Sequence, residues 1–69
     1  MTAYQNRRVR DWSALSSADK VVVTEPGRHG YPATIDATTV DSAVVWVIDE
    51  GGQRRAFDHR EGVELAALP

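Results

Sequence analysis

"AVVWVIDEGGQRRAFDH", residues 43–59, is the stretch whose reading decides the fold of this chain. Residues 43–49 are β-branched or aromatic at almost every position, which suits a pleated surface better than a helix. Val44, Trp46 and Ile48 take one face, and Ala43, Val45 and Val47 take the other. Both faces are apolar, so the segment reads as a central strand, with Trp46 pointing inward beside Val44 and Ile48. Were Trp46 to point outward instead, it would join Tyr31 or Tyr4 in an exposed apolar patch of the kind that marks interfaces. Gly51-Gly52 permits positive φ at both central positions of a tight turn, a hairpin signal. Residues 53–59 are then the return strand. Phe57 faces inward there and Arg54 is left in solvent.

Working back toward the N-terminus, "VDS" at 40–42 is a turn, and "PATIDATT" at 32–39 alternates. Ala33, Ile35 and Ala37 take one face, and Thr34, Asp36 and Thr38 take the other, as in a half-buried strand. "KVVVTE", residues 20–25, is a further strand. The loop between them, "EPGRHGYP", spans residues 25–32. Pro26 presets a turn, Gly27 supplies the positive φ that a type II turn needs after proline, and Gly30 allows a second reversal. Tyr31, ahead of Pro32, is pushed into an extended conformation.

Trp12 and Leu15 lie three apart, on one side of a helical turn, and are expected to be mostly buried. Residues 1–10 carry Arg7, Arg8 and Arg10 without an acid and have no clear period, so they read as a flexible basic arm ahead of one domain at 11–69. The C-terminal stretch has two readings. Asp58 and Glu61 have capping-box spacing, and Leu65 and Leu68 have helical spacing, but Gly62 weakens a helix there by about 1 kcal/mol. The favoured alternative is a turn at 59–62 followed by a strand at 63–67, with Val63, Leu65 and Ala67 facing in.

These 69 residues form a single small domain with a thin stability margin. There is no cysteine, which excludes disulfides and thiolate zinc sites and fits a reducing cytoplasm. The net charge of −2 is uneven: +3 over residues 1–10, and −5 over the remainder, which carries five basic and ten acidic side chains. An acidic body is a poor general nucleic-acid binder. No apolar run is long enough to span a membrane.

The order of short strands, with a helical turn before the last, resembles the SH3-like barrel group, which includes Tudor and KOW domains. The resemblance covers about residues 15–67. It is carried by "LSSADKVVV", where Ala18-Asp19 stands in place of the Gly-Asp usual before the first strand of KOW-type domains. It is carried also by Gly27-x-x-Gly30 ahead of "ATIDA", and by "VVWVIDEGG…RAF", similar to the V-x-W-x-x-x-G pattern of Tudor-like and related small bacterial barrels of unknown function. It implies an all-β, five-stranded SH3-like barrel. The chain departs from the functional patterns of the group: Tyr31 is the only aromatic on the loop that would form an SH3 groove, a Tudor cage needs a cluster of two to four aromatics, and nucleic-acid-binding KOW domains are usually basic.

The chemistry-bearing residues are sparse. There is no G-x-S-x-G elbow and no cysteine nucleophile. His29 and His59 are thirty residues apart, and Asp58 and His59, adjacent on a strand, would face opposite ways. No metal-ligand spacing occurs, and "IDEGGQ" lacks the acidic run of a calcium loop. No cofactor is expected, and the chain reads as non-enzymatic. The candidate binding residues are Arg28, His29 and Tyr31 on the loop, and Arg54 and Arg55 on the return strand. The simplest role for the two arginines is cross-hairpin ion pairing with Asp49 and Glu50, worth about 0–1 kcal/mol each. The expectation is a cytoplasmic protein-interaction or adaptor module with an unknown protein partner. A homodimer is compatible with the small core and the doubly apolar strand. The alternative is KOW-like nucleic-acid binding through the basic arm and loop arginines. A continuous positive face would favour nucleic acid, and separated basic spots would favour protein contacts.

Overall fold

The computed structural model describes residues 7–9 and 12–68. The chain is all-β. Six strands, β1 (Arg7–Val9), β2 (Lys20–Thr24), β3 (Tyr31–Thr38), β4 (Val44–Asp49), β5 (Arg54–Asp58) and β6 (Glu64–Ala67), form one antiparallel sheet in the order β1-β6-β2-β3-β4-β5. Its two ends, β1 and β5, do not pair with each other, so the ladder is open. Of the arm expected at 1–10, residues 1–6 and 10 lie outside the described residues. Arg7–Val9 pairs along β6 as a strand that no alternation in the sequence announces.

One face of the sheet forms the core. Val21, Val23, Val45, Val47 and Leu65 are wholly inaccessible, and Ile35 nearly so. Cross-strand register explains the company they keep: Val23 lies opposite Leu65, Ile35 opposite Val47, and Val45 opposite Phe57. Among the described residues no second sheet covers this face, so the sheet must curl to enclose it, with Trp12 and Leu15 packed against it at a 3-10 turn, Trp12–Ala14. The burial foreseen for Trp12, Leu15 and Phe57 is observed.

Trp46 corrects the sequence reading. Val45 and Val47 face the core, and Trp46, half-buried, lies on the outer face with Val44 and Ile48. Since β4 is apolar on both faces, alternation alone did not distinguish them. A second correction follows from a bulge between Ile35 and Ala37. It sets Asp36 and Ala37 against Trp46 on β4, so Ala37 leaves the face of Ala33 and Ile35. Such a bulge also increases local twist, which helps the sheet curl.

The turns combine features the sequence offered as alternatives. Asp58 caps a 3-10 turn at His59–Glu61 with a complete capping box, Gly62 ends it in the left-handed region at φ 79°, and β6 follows. The capping box and the terminal strand are both real. At the hairpin only Gly52 has positive φ, 84°. Gly51 does not need it, because the Asp49 carboxylate accepts from the Gly51 and Gln53 N–H groups and holds the turn.

Two stability predictions arise here. Ala18 occupies the left-handed region at φ 75°. Its N–H donates to the Ile35 carbonyl at 2.8 Å, which pins the conformation. Ala18→Gly relieves the Cβ strain and is expected to raise stability by about 0.5–1 kcal/mol, read from urea midpoints at unchanged slope. The second concerns Asp58. Hydrogen bonds from the Arg60 side chain and backbone lower its carboxyl from 3.8 to about 2. A group depressed on folding contributes stability above its unfolded pKa and loses it as pH falls through the folded one. Stability should therefore drop between about pH 4 and pH 2, and Asp58→Asn should flatten that part of an acid titration followed by circular dichroism.

Candidate functional site

The inward face of the sheet runs out at one rim, and four of the five candidate residues gather there. Tyr31 opens β3 opposite Val23, Asp49 ends β4 opposite Ala33, and Arg55 lies opposite Val47. All three share the core-facing side but sit where the apolar layers end. Glu25, just past β2, leans over the same rim. With Arg28, His29, Pro32 and Glu50 these side chains line an open groove of about 330 Å³.

The loop from 25 to 30 is built as its composition suggests. The Arg28 N–H donates to the Glu25 carbonyl at 3.1 Å, closing a turn with Pro26 and Gly27 at its centre, and Gly27 has φ 75°. Gly30 has another role than the second reversal expected of it. Its φ is not positive, and a Cβ there would meet Val22 Cγ1 at 2.8 Å and Thr24 Oγ1 at 3.0 Å. Glycine lets the returning chain lie flat against β2 and brings Tyr31 down onto the rim.

Glu25 organises the groove. Its Oε2 accepts from the Tyr31 hydroxyl at 3.0 Å and from Arg55 Nη1 at 3.3 Å. The Arg55 guanidinium lies 5.9 Å from the Tyr31 ring centre, a cation–π contact. Burial and then the bond to Glu25 raise the Tyr31 phenol above its ordinary value of 10.0, so it stays a neutral donor. The Arg55 Nε–H is buried without an acceptor. A buried donor left unpaired is costly, and an acceptor entering beside it would be favoured.

Arg28, His29, Tyr31 and Arg55 are thus brought together, and Arg54 is not. Adjacent strand residues face opposite ways, so Arg54 lies on the outer face. There its Nε donates to Asp36 at 2.8 Å and its guanidinium lies 5.4 Å from the Trp46 ring centre. The hairpin pairing expected with Asp49 and Glu50 is not what forms: Arg54 pairs with Asp36 and Arg55 with Glu25. The bulge explains the first, because it places Asp36 within reach across Trp46. Sequence reasoning missed Glu25 as the hub. Its signal was only its place before a Pro-Gly turn that folds back on Tyr31.

His59 stands apart from the groove, edge-on to Trp12 at 6.4 Å. Asp58 is held by Arg60 and by its capping role, so the two do not act as a dyad. Among the described residues no group of three or more histidine or acidic side chains is placed to hold a metal, and no helix is long and apolar enough to cross a membrane. In comparisons with family profiles, curated proteins and solved structures, nothing matches this chain.

Proposed function

We propose that this chain is a non-enzymatic protein-interaction module of the SH3-like type that takes a segment of a partner protein into the groove over Tyr31. The strand order β6-β2-β3-β4-β5, with a 3-10 turn ahead of the last strand in sequence, supports the SH3-like reading. The observation that carries the functional reading is the separation of the basic groups. Arg28 and Arg55 share their groove with Glu25, Asp49 and Glu50, and Arg54 lies on the opposite face beside Asp36. A phosphate backbone needs a continuous positive track, and these acids interrupt one. A polypeptide, which carries both signs together with carbonyl and amide groups, suits mixed walls around one aromatic ring. The lack of cysteine agrees with a reducing, cytoplasmic setting.

The test uses the full chain as bait in host extract, beside Arg28→Glu. Arg28 is exposed, so its reversal leaves the core intact. The expected result is a partner retained by the original chain and lost or weakened at least about tenfold by the variant. Fluorescent RNA and DNA are titrated in parallel at low salt. Tight binding there that falls steeply with added salt, and no protein partner sensitive to Arg28, would replace this reading with the nucleic-acid one.

A further inference from the structure

Among the described residues no strand pairs with the outer edge of β5, and that edge carries a pattern that the groove does not use. The ladder between β4 and β5 is closed at one end by the Asp49 N–H donating to the Gln53 carbonyl and at the other by the His59 N–H donating to the Ala43 carbonyl. Bonded and non-bonded pairs alternate in an antiparallel ladder, so Arg55 and Phe57 bond to β4. Arg54, Ala56 and Asp58 turn their N–H and C=O groups to the open side. The Asp58 N–H is taken by the Glu61 carboxylate at 2.9 Å. The donors and acceptors of Arg54 and Ala56 are left at the edge, and Ala56 is exposed.

We propose that two copies of this chain pair antiparallel through β5, centred on Ala56 against Ala56 of the second copy. Only residues that turn outward can exchange bonds there, and Ala56 is the outward residue at the middle of the strand. This register sets Arg54 opposite Asp58 of the second copy, and Asp58 opposite its Arg54. All four side chains lie on the outer face. Because Arg54 already holds Asp36 and Asp58 already holds Arg60, the dimer carries two runs of alternating charge across the seam: Asp36, Arg54, then Asp58 and Arg60 of the second copy.

The same charges reject the neighbouring alignments. Sliding one way places Arg55 against Arg55 of the second copy. Sliding the other way takes Arg54 off Asp58 and toward Arg60. A parallel arrangement stacks Arg54 on Arg54. Like charges directly opposite are unfavourable and opposite charges favourable, so one register is singled out. Trp46, which lies opposite Ala56 on β4, borders the pair of small alanines on each side. The second copy therefore extends a half-buried apolar strip that within one chain is bordered by the Arg54 guanidinium over the Trp46 ring.

Sedimentation equilibrium of the full chain in low salt is the test, expected to give a monomer–dimer equilibrium at high micromolar concentration. Ala56→Pro removes only an outward N–H, which an edge strand tolerates, and should weaken association about tenfold or more with unchanged circular dichroism. Charge variants provide a check independent of proline. Arg54→Glu alone and Asp58→Lys alone set like charges opposite in both pairs, so each should be monomeric. Mixed together they restore both attractions and should form a heterodimer. A chain that stays monomeric at millimolar concentration overturns the proposal. So does a dimer that Ala56→Pro leaves as tight as before, or a dimer of the original chain with no heterodimer from the mixture.

Discussion

Leu65→Ala is expected to lose about 2–5 kcal/mol, enough to leave a domain of this size largely unfolded at body temperature. Leu65 is wholly inaccessible and lies opposite Val23 on β2 and Val9 on β1, so its side chain belongs to the layer that joins the last strand to the rest. Five of the eleven buried core residues are valines, stiff at χ1, and no methionine lies among the eleven to move into the space. Truncation removes buried methyl groups and leaves a cavity as well. Urea unfolding followed by tryptophan fluorescence gives the loss directly. A loss under about 1 kcal/mol would mean that β6 does not pack as described. In that case the loop at residues 25–30, which rests against the same end of the sheet, would need a different support.

Gly30→Val should cost about 1–3 kcal/mol, by crowding rather than by backbone strain. Its φ is not positive, but a Cβ would stand 2.8 Å from Val22 Cγ1. Valine at 22 is β-branched and stiff, so it cannot swing aside cheaply. Val22→Ala in the same chain opens that space and should return a substantial part of the loss. The double-mutant cycle should therefore show a coupling of more than about 0.5 kcal/mol. Two independent, additive losses would show that Gly30 matters for a reason other than contact with Val22. Because Tyr31 follows directly, Gly30→Val should also weaken binding of any partner held at the rim.

The extent to which the sequence could be read varies with how local each cause is. Phe57, Trp12 and Leu15 were legible as core because their neighbours are polar and the spacing leaves one side for them. The Pro26-Gly27 turn was legible because proline and glycine restrict φ directly. Trp46 was not, because every side of β4 is apolar and alternation then has nothing to distinguish. The bulge at Asp36 has no local signature, so neither the displacement of Ala37 nor the pairing of Arg54 with Asp36 could be read from spacing. The groove was legible in its loop residues and in Arg55. Its hub, Glu25, was not, because a carboxylate's partner is set by which strands curl together. β1 escaped for the same reason: three residues without alternation become a strand only when β6 offers an edge.

That β4 is apolar on both faces from Val44 to Ile48 has a consequence for how the molecule reaches its native form. Sliding this strand by one position exchanges Val45 and Val47 for Val44, Trp46 and Ile48, a set that is bulkier but equally free of charge, so only shape and not polarity opposes the slip. In most half-buried strands such a slip is punished at once, since it would drive charged groups inward. Here correct alignment depends on two devices: the Asp49-braced reversal at one end of the strand and the extra residue at Asp36 opposite its middle. Loosening either should yield a population of chains that collapse promptly and then spend time undoing the wrong threading.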